Sequence, residues 1–309
     1  MDLDQEQEFN FRKIDLYNDS NTELFATFIS SKHNKKCRNS VLYLHGYIDY
    51  FFHPHVAEEF LKNDFDFYAL DFRRYGRSLL AHQKPNYCTN IEEYFEEITA
   101  ALKMIKENNI NIYILGHSTG GLVGSCYMNR GQEKDYVSGL ILNSPFLEIA
   151  QPHWKTKLLY RFIKPLSIIF PNGSIEGGLS PTYAKSIHKN YKGTWDFNLD
   201  WKPIAGFPLY FKWFIAIVDA QRSLKKSNIA VPVLILHSDK SLKTKKYIAQ
   251  ANMSDTVLDI EDMKQIGPKL AKNVKIIEIK DAVHDIFLSP KSIRVKAFKE
   301  MFSWLKSNS

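Results

Sequence analysis

Gly116-His117-Ser118-Thr119-Gly120 sets a hydroxyl between two glycines in the pattern G-x-S-x-G. A serine is a weak nucleophile. It needs a backbone that exposes Oγ, a base to take its proton, and donors for the oxyanion that its attack creates. The motif supplies the first requirement when it lies between a strand and a helix, because flanking glycines let backbone segments pass closely at a tight turn. NIYIL (111–115) has a strand's composition, and LVGSCYMNR (122–130) begins as a helix. Gly121 and Gly124 extend a small-residue face for packing that helix on a sheet.

The remaining groups follow from the same requirements. Thr119, directly after the serine at a helix start, offers one N–H to an oxyanion, and Tyr47, in His45-Gly46-Tyr47 at the end of VLYLH, offers the second. Of ten histidines, His284 follows the last expected strand, in IKDAVHDIFLS, and is the candidate base. The stretch HSDKSLKTKKYIAQANMSDTVLD (237–259) holds three aspartates that could orient it. Asp239 is nearest the preceding strand, but it lies 45 residues before His284, long for one loop, one helix and one strand. Asp255 lies 29 residues before it, close to what a short helix and a strand consume. Asp259 reads as a helix N-cap, with Glu261 and Asp262 in the first turn. Asp255 is the expected acid and Asp239 its competitor.

Strand-like and helix-like segments alternate, which predicts an α/β fold with a mainly parallel central sheet flanked by helices. FNFRKIDLY (9–17) and ELFATFIS (23–30), joined through NDSNT, are expected leading strands. VLYLH (41–45), FDFYALD (65–71), NIYIL (111–115), VSGLILN (137–143), VPVLIL (231–236) and VKIIEI (274–279) follow as strands. Apolar residues at three- and four-residue spacing predict an amphipathic helix over 91–109, with further helices near 260–266 and 290–306. Between SPF (144–146) and VPVLIL the alternation stops for more than eighty residues, which hold four of the five tryptophans. A structureless loop of that length is improbable in a compact domain. The expectation is a core domain of 1–146 and 229–309 with an inserted cap, 147–228.

Other residue groups carry blander readings. His53-Pro54-His55 with Glu58 and Glu59 lacks the spacing of a metal shell. Arg73, Arg74 and Arg77 are expected in salt bridges or at the surface. WKTKLLYRFIKPLSIIF (154–170) mixes cations with large apolar residues, but Pro165 is expected to interrupt it, favouring pocket lining or cap packing over contact with an anionic membrane surface. No P-loop or dinucleotide fingerprint is present, so no cofactor is expected. The net charge of +7 comes from dispersed lysines without a nucleic-acid-binding signature, so no nucleic-acid partner is expected. Three widely spaced cysteines and an acidic start, MDLDQEQEF, point to a reducing, cytoplasmic setting.

Taken in order, VLYLHGYIDYFF (41–52), YALDFRRYGRS (68–78), ILGHSTGG (114–121), the Trp-rich insertion and DAVHDIFLS (281–289) resemble the α/β-hydrolases of the monoglyceride lipase, lysophospholipase and serine-aminopeptidase-like group. Two positions depart from that pattern. Ile48-Asp49-Tyr50 stands where its monoglyceride lipases tend to carry Glu-His, and Arg74 replaces the first glycine of D-x-x-G-x-G-x-S. In the family the acid usually falls about four residues past its strand. That slot is Ser241 here, so the resemblance implies that SLKTKKYIAQANM is an insertion carrying the acid on to Asp255, where D-T-V-L-D resembles the family's D-x-V-V. The resemblance implies a serine hydrolase acting on a small-molecule acyl ester (a monoacylglycerol, lysophospholipid or small ester) through Ser118, His284 and Asp255. An aminopeptidase or thioesterase, or a catalytically silent receptor or scaffold on the same fold, stays open.

Overall fold

The computed structural model describes residues 6–17, 22–176, 180–244 and 246–308; the NDSNT turn and the first five residues fall wholly or largely outside them. The chain opens with an antiparallel pair, β1 (Phe9–Asp15) and β2 (Phe25–Ser31). β3 (Asn39–Leu44), helix α1 (Pro54–Lys62), β4 (Phe65–Asp71), α2 (Phe95–Lys106), β5 (Asn111–His117), α3 (Thr119–Arg130) and β6 (Val137–Asn143) then alternate. Between β6 and the next strand of the sheet the chain carries α4 (His153–Ile169), β7 (Ser174–Ile175), α5 (Pro181–Ile187), β8 (Leu209–Tyr210) and α6 (Phe211–Ser223). The alternation resumes with β9 (Val233–Ser238), α7 (Ile260–Ile266), β10 (Val274–Ile279) and α8 (Lys291–Ser307).

The eight-stranded sheet has the order β1-β2-β4-β3-β5-β6-β9-β10, parallel from β4 onward. Its central strands are buried on both faces, and their alternation sorts side chains into two layers. Leu42, Leu44, Ile112, Ile114, Leu140 and Ile235 pack under α2, α3 and α6, whereas Val41, Tyr43, Tyr113, Ile141 and Leu234 pack under α1 and α8. Each such fully buried aliphatic side chain contributes about 1.5–3 kcal/mol. β3 runs on to β4 on one side, while β5 is laid down on its other side, so the C-terminal ends of β3 and β5 flank a switch point where open α/β sheets hold ligands.

Most expected elements form, with three differences. Residues 91–94 make a 3₁₀ turn, capped by Asn90 and Glu93, before α2 begins. β9 starts past Pro232, which has no N–H to give the ladder. Pro165 does not interrupt its segment: α4 runs unbroken from His153 to Ile169 with the proline inside. The lost bond is to the Arg161 carbonyl, which belongs to an exposed residue and can be met by water, and Ser167 Oγ donates to the Lys164 carbonyl at 2.7 Å. α1 was not anticipated, although Pro54 at its first turn and buried Val56, Ala57 and Phe60 carry the helical signature.

A fully buried carboxylate fastens the loop before α8. Asp285 accepts from His53 Nε2 at 2.9 Å, Asn143 Nδ2 at 2.8 Å and its own Phe287 N–H at 3.0 Å, tying that loop to the start of α1 and the end of β6. Burial alone would push the Asp285 carboxyl up, but His117, His53 and Asn143 outweigh it and hold it well below the ordinary range. An acid depressed in the folded state contributes stability above its unfolded pKa of about 3.9 and loses it as the pH falls further. Asp285→Asn is therefore expected to lower stability at pH 7 by about 3 kcal/mol. Its melting temperature should then fall less steeply than that of the wild type between about pH 4 and 2; parallel slopes would remove Asp285 from the acid transition.

Candidate active site

Ser118 sits at the turn from β5 into α3 with φ 51° and ψ −115°, in the left-handed half of backbone space that a side chain rarely occupies. Both motif glycines are required there. A Cβ on Gly116 would meet the Gly120 carbonyl oxygen at 2.6 Å, and one on Gly120 would meet the Leu44 carbonyl oxygen at 2.3 Å. The second contact also shows how closely the start of α3 approaches the end of β3. As first residue of the helix, Thr119 has an N–H with no acceptor within it.

The loop after β3 lies against the serine. A Cβ on Gly46 would come within 3.2 Å of Ser118 Cβ. The Gly46–Tyr47 peptide is oriented from the core, because His45 Nδ1 lies 2.8 Å from the Gly46 carbonyl while its Nε2 accepts from Phe72 N–H at 3.0 Å. These bonds define one tautomer, with the proton on Nδ1. Burial lowers the His45 pKa and favours that neutral form. In a trans peptide the N–H points opposite to the carbonyl, so fixing Gly46 C=O fixes the direction of Tyr47 N–H. Sequence reasoning did not find this role for His45; its signal was adjacency to the glycine.

His284 is buried, and its Nδ1 lies 2.8 Å from Asp255 Oδ2. An ionised carboxylate only accepts, so Nδ1 carries the proton and Nε2 is left as the basic nitrogen. Asp255 is fully buried, and its other oxygen accepts from Val257 and Leu258 N–H at 2.8 Å each. The loop that carries it is clasped at its base. Asp255 pairs with Ser241 in a parallel bridge, Leu242 N–H donates to the Asp255 carbonyl at 2.7 Å, and Asp255 N–H donates to the Lys240 carbonyl at 3.0 Å. Asp239 lies elsewhere, accepting from Asp281 N–H at 2.7 Å. Asp259 caps α7, as its sequence context suggested.

Ser118, Thr119, Tyr47 and His284 line one cavity of about 460 Å³, closed in part by residues of α4 and α6. Phe146, Leu159, Ile163, Trp213, Phe214 and Val257 make much of its wall. His117, beside the serine, is pushed down to about 4 by burial and stays neutral near pH 7. Asp49 is the carboxylate lining the cavity among the described residues, and Lys202 Nζ lies 2.8 Å from its Oδ1. Burial would raise the Asp49 pKa, but Lys202 and nearby histidines outweigh it and keep it an anion.

The remaining sequence groups are engaged elsewhere. His53 pairs with Asp285, and His55 Nε2 donates to the Phe287 carbonyl at 2.9 Å. Arg73, Arg74 and Arg77 bond to Glu97, Glu93 and Asp71, and Arg74 adopts φ 64°, in the left-handed region that favours glycine.

Comparison with known proteins bears on the family and the fold. The sequence model described as serine aminopeptidase, S33, matches residues 35–291. The fold resembles the crystal structure of a monoacylglycerol lipase from Paleococcus ferrophilus, at 22% identity and a TM-score of 0.70, covering 93% of this chain and all of that one. It also resembles a soluble variant of a monoglyceride lipase from Saccharomyces cerevisiae, solved with a substrate analogue, at 17% identity, a TM-score of 0.70 and 97% coverage of each chain. Among curated proteins, phospholipase YtpA of Bacillus subtilis is 31% identical over 91 residues, covering 29% of this chain and 34% of that protein. A human serine hydrolase-like protein is 30% identical over 122 residues, covering 39% of this chain. The chain spans 34% and 57% of these two curated relatives. With the match covering most of its length, the chain belongs to the serine aminopeptidase S33 family of α/β-hydrolases.

Proposed function

We propose that the protein is a serine hydrolase of carboxylic esters. The observation that carries this reading is the 2.8 Å contact between His284 Nδ1 and buried Asp255, in the cavity that Ser118 shares. Ser118 Oγ attacks the ester carbonyl while His284 Nε2 takes its proton. Tyr47 and Thr119 N–H groups hold the oxyanion, and the imidazolium, steadied by Asp255, returns the proton to the departing alcohol. Water then cleaves the acyl-enzyme by the same steps.

Residues 147–228 act as a cap over the core of 1–146 and 229–309, and the cavity between them has the size of a small-molecule site. Its apolar wall suits an acyl chain, each buried methylene adding about 0.8 kcal/mol. Monoacylglycerols, lysophospholipids and small acyl esters are the substrates it favours. An aminopeptidase would need a carboxylate free to hold an α-amino group, and Asp49 is already paired with Lys202. The three cysteines are free thiols, in keeping with a reducing, cytoplasmic setting.

Fluorophosphonate labelling tests the chemistry. Wild type should be captured covalently and Ser118→Ala should not. Asp255→Asn should lower turnover of p-nitrophenyl esters by about 10³–10⁴-fold, with Asp239→Asn retaining most of it. A folded wild type that escapes labelling favours the silent-receptor reading, and a reversed order of the two aspartates moves the acid to Asp239.

The outer surface of α4 supports contact between the cap and an anionic membrane surface. Trp154, Phe162 and Ile169 are 64%, 61% and 67% exposed, with Lys155, Lys157, Arg161 and Lys164 on the same helix also exposed. Among the described residues no helix is long and apolar enough to cross a membrane. Leu159 and Ile163 of α4 reach the cavity wall, so one helix borders both lipid and substrate. Sedimentation with phosphatidylserine-containing vesicles should exceed that with neutral vesicles, and Trp154→Ser/Phe162→Ser should weaken it about tenfold or more. Equal binding to both vesicles, or no effect of the double substitution, would exclude this contact.

A further inference from the structure

The segment that supplies Tyr47 is gripped from the cap as well as from the core. Lys202 lies between α5 and α6, 5% exposed, with Nζ 2.8 Å from Asp49 Oδ1 and 3.4 Å from the Ile48 carbonyl oxygen. Asn198 N–H donates to Tyr50 Oη at 2.7 Å, and the Tyr47 ring packs against Trp213 at 4.1 Å between centroids. Ile48, between Tyr47 and Asp49, holds φ 51°, a conformation that a β-branched residue keeps only under outside constraint. A buried ion pair is seldom a better source of stability than apolar packing. What it adds is direction: one ammonium addresses both residues that follow the Tyr47 peptide.

We propose that Lys202 is a positioning residue. From the cap it bonds Asp49 and the Ile48 carbonyl, holding the loop after β3 where Tyr47 N–H meets the reacting carbonyl, so that the oxyanion site is complete only while the cap is seated. This rests on the ester-hydrolase reading for its catalytic consequence and on the contacts alone for the tether. His45 sets the peptide from the sheet side and Lys202 from the cap side, and the strained residue lies between the two restraints. The reaction is thereby coupled to cap closure through the loop after β3.

Lys202→Met, Lys202→Arg and Asp49→Asn/Lys202→Met test this. The double variant leaves no unpaired buried charge if the single one folds poorly. Amide hydrogen exchange of the peptide spanning 46–52 should accelerate about tenfold or more in both charge-removing variants while the central strands stay protected. With a p-nitrophenyl ester, kcat should fall about 10²–10³-fold with KM little changed, the loss expected when one oxyanion donor is misplaced. Lys202→Arg should recover part of both effects. Unchanged exchange at 46–52 overturns the tether whatever the activity. Faster exchange with full kcat, or a raised KM with kcat retained, overturns the positioning role and makes Lys202 a structural or substrate-binding group. A wild type without esterase activity sinks the hydrolase reading, and the exchange experiment still decides the tether.

Discussion

Ser118 keeps a backbone conformation that an L-residue adopts only when its surroundings leave no easier one, and much of the architecture serves to hold it there. Its N–H donates to the Asn143 carbonyl, and its carbonyl accepts from Gly121, Leu122 and Phe146 N–H. These partners come from β6, the first turn of α3 and the entry to the inserted segment. The close approach of α3 to β3, possible because Gly120 has no side chain, sets the loop after β3 beside the serine. The switch in strand order between β3 and β5 therefore has a local meaning: two strand ends bring Ser118 and its facing loop to one place.

Around that point two buried carboxylates have both oxygens engaged. Asp255 spends one oxygen on two backbone N–H groups and the other on His284. Asp285, the next residue along from that histidine, binds His53 and Asn143 instead. Two neighbouring residues thus do different work: His284 faces the cavity, and Asp285 anchors the loop on which it rides. Such low-dielectric networks hold side chains in single arrangements, because an alternative would strand a polar atom without a partner.

Much of the fold was legible because a parallel sheet buried on both faces writes itself as short apolar runs, and β4, β6, α7 and β10 fall on the residues expected of them. The strand-to-helix turn at Ser118 was legible from local chemistry, since such a turn needs glycines at fixed offsets. Asp255 was legible as a distance along the chain, although only the folded loop brings it to His284. The rest depends on contacts between residues far apart in sequence. Lys202 and Asp49 are separated by 153 positions, and no local pattern links them. The error at Pro165 has a different origin. A proline removes one hydrogen bond, and a helix with solvent on that side can lose it and continue.

The loop from Lys240 to Asp255 leaves β9 and returns almost to its starting point, where Ser241 and Asp255 pair side by side. Closing a longer excursion costs only slowly more entropy as residues are added. The clasp therefore separates Asp255's place in space from its place along the chain. Lengthening or shortening the excursion need not move the carboxylate, provided the two ends still meet. In this architecture Asp255 is placed by a junction rather than by a count from the strand.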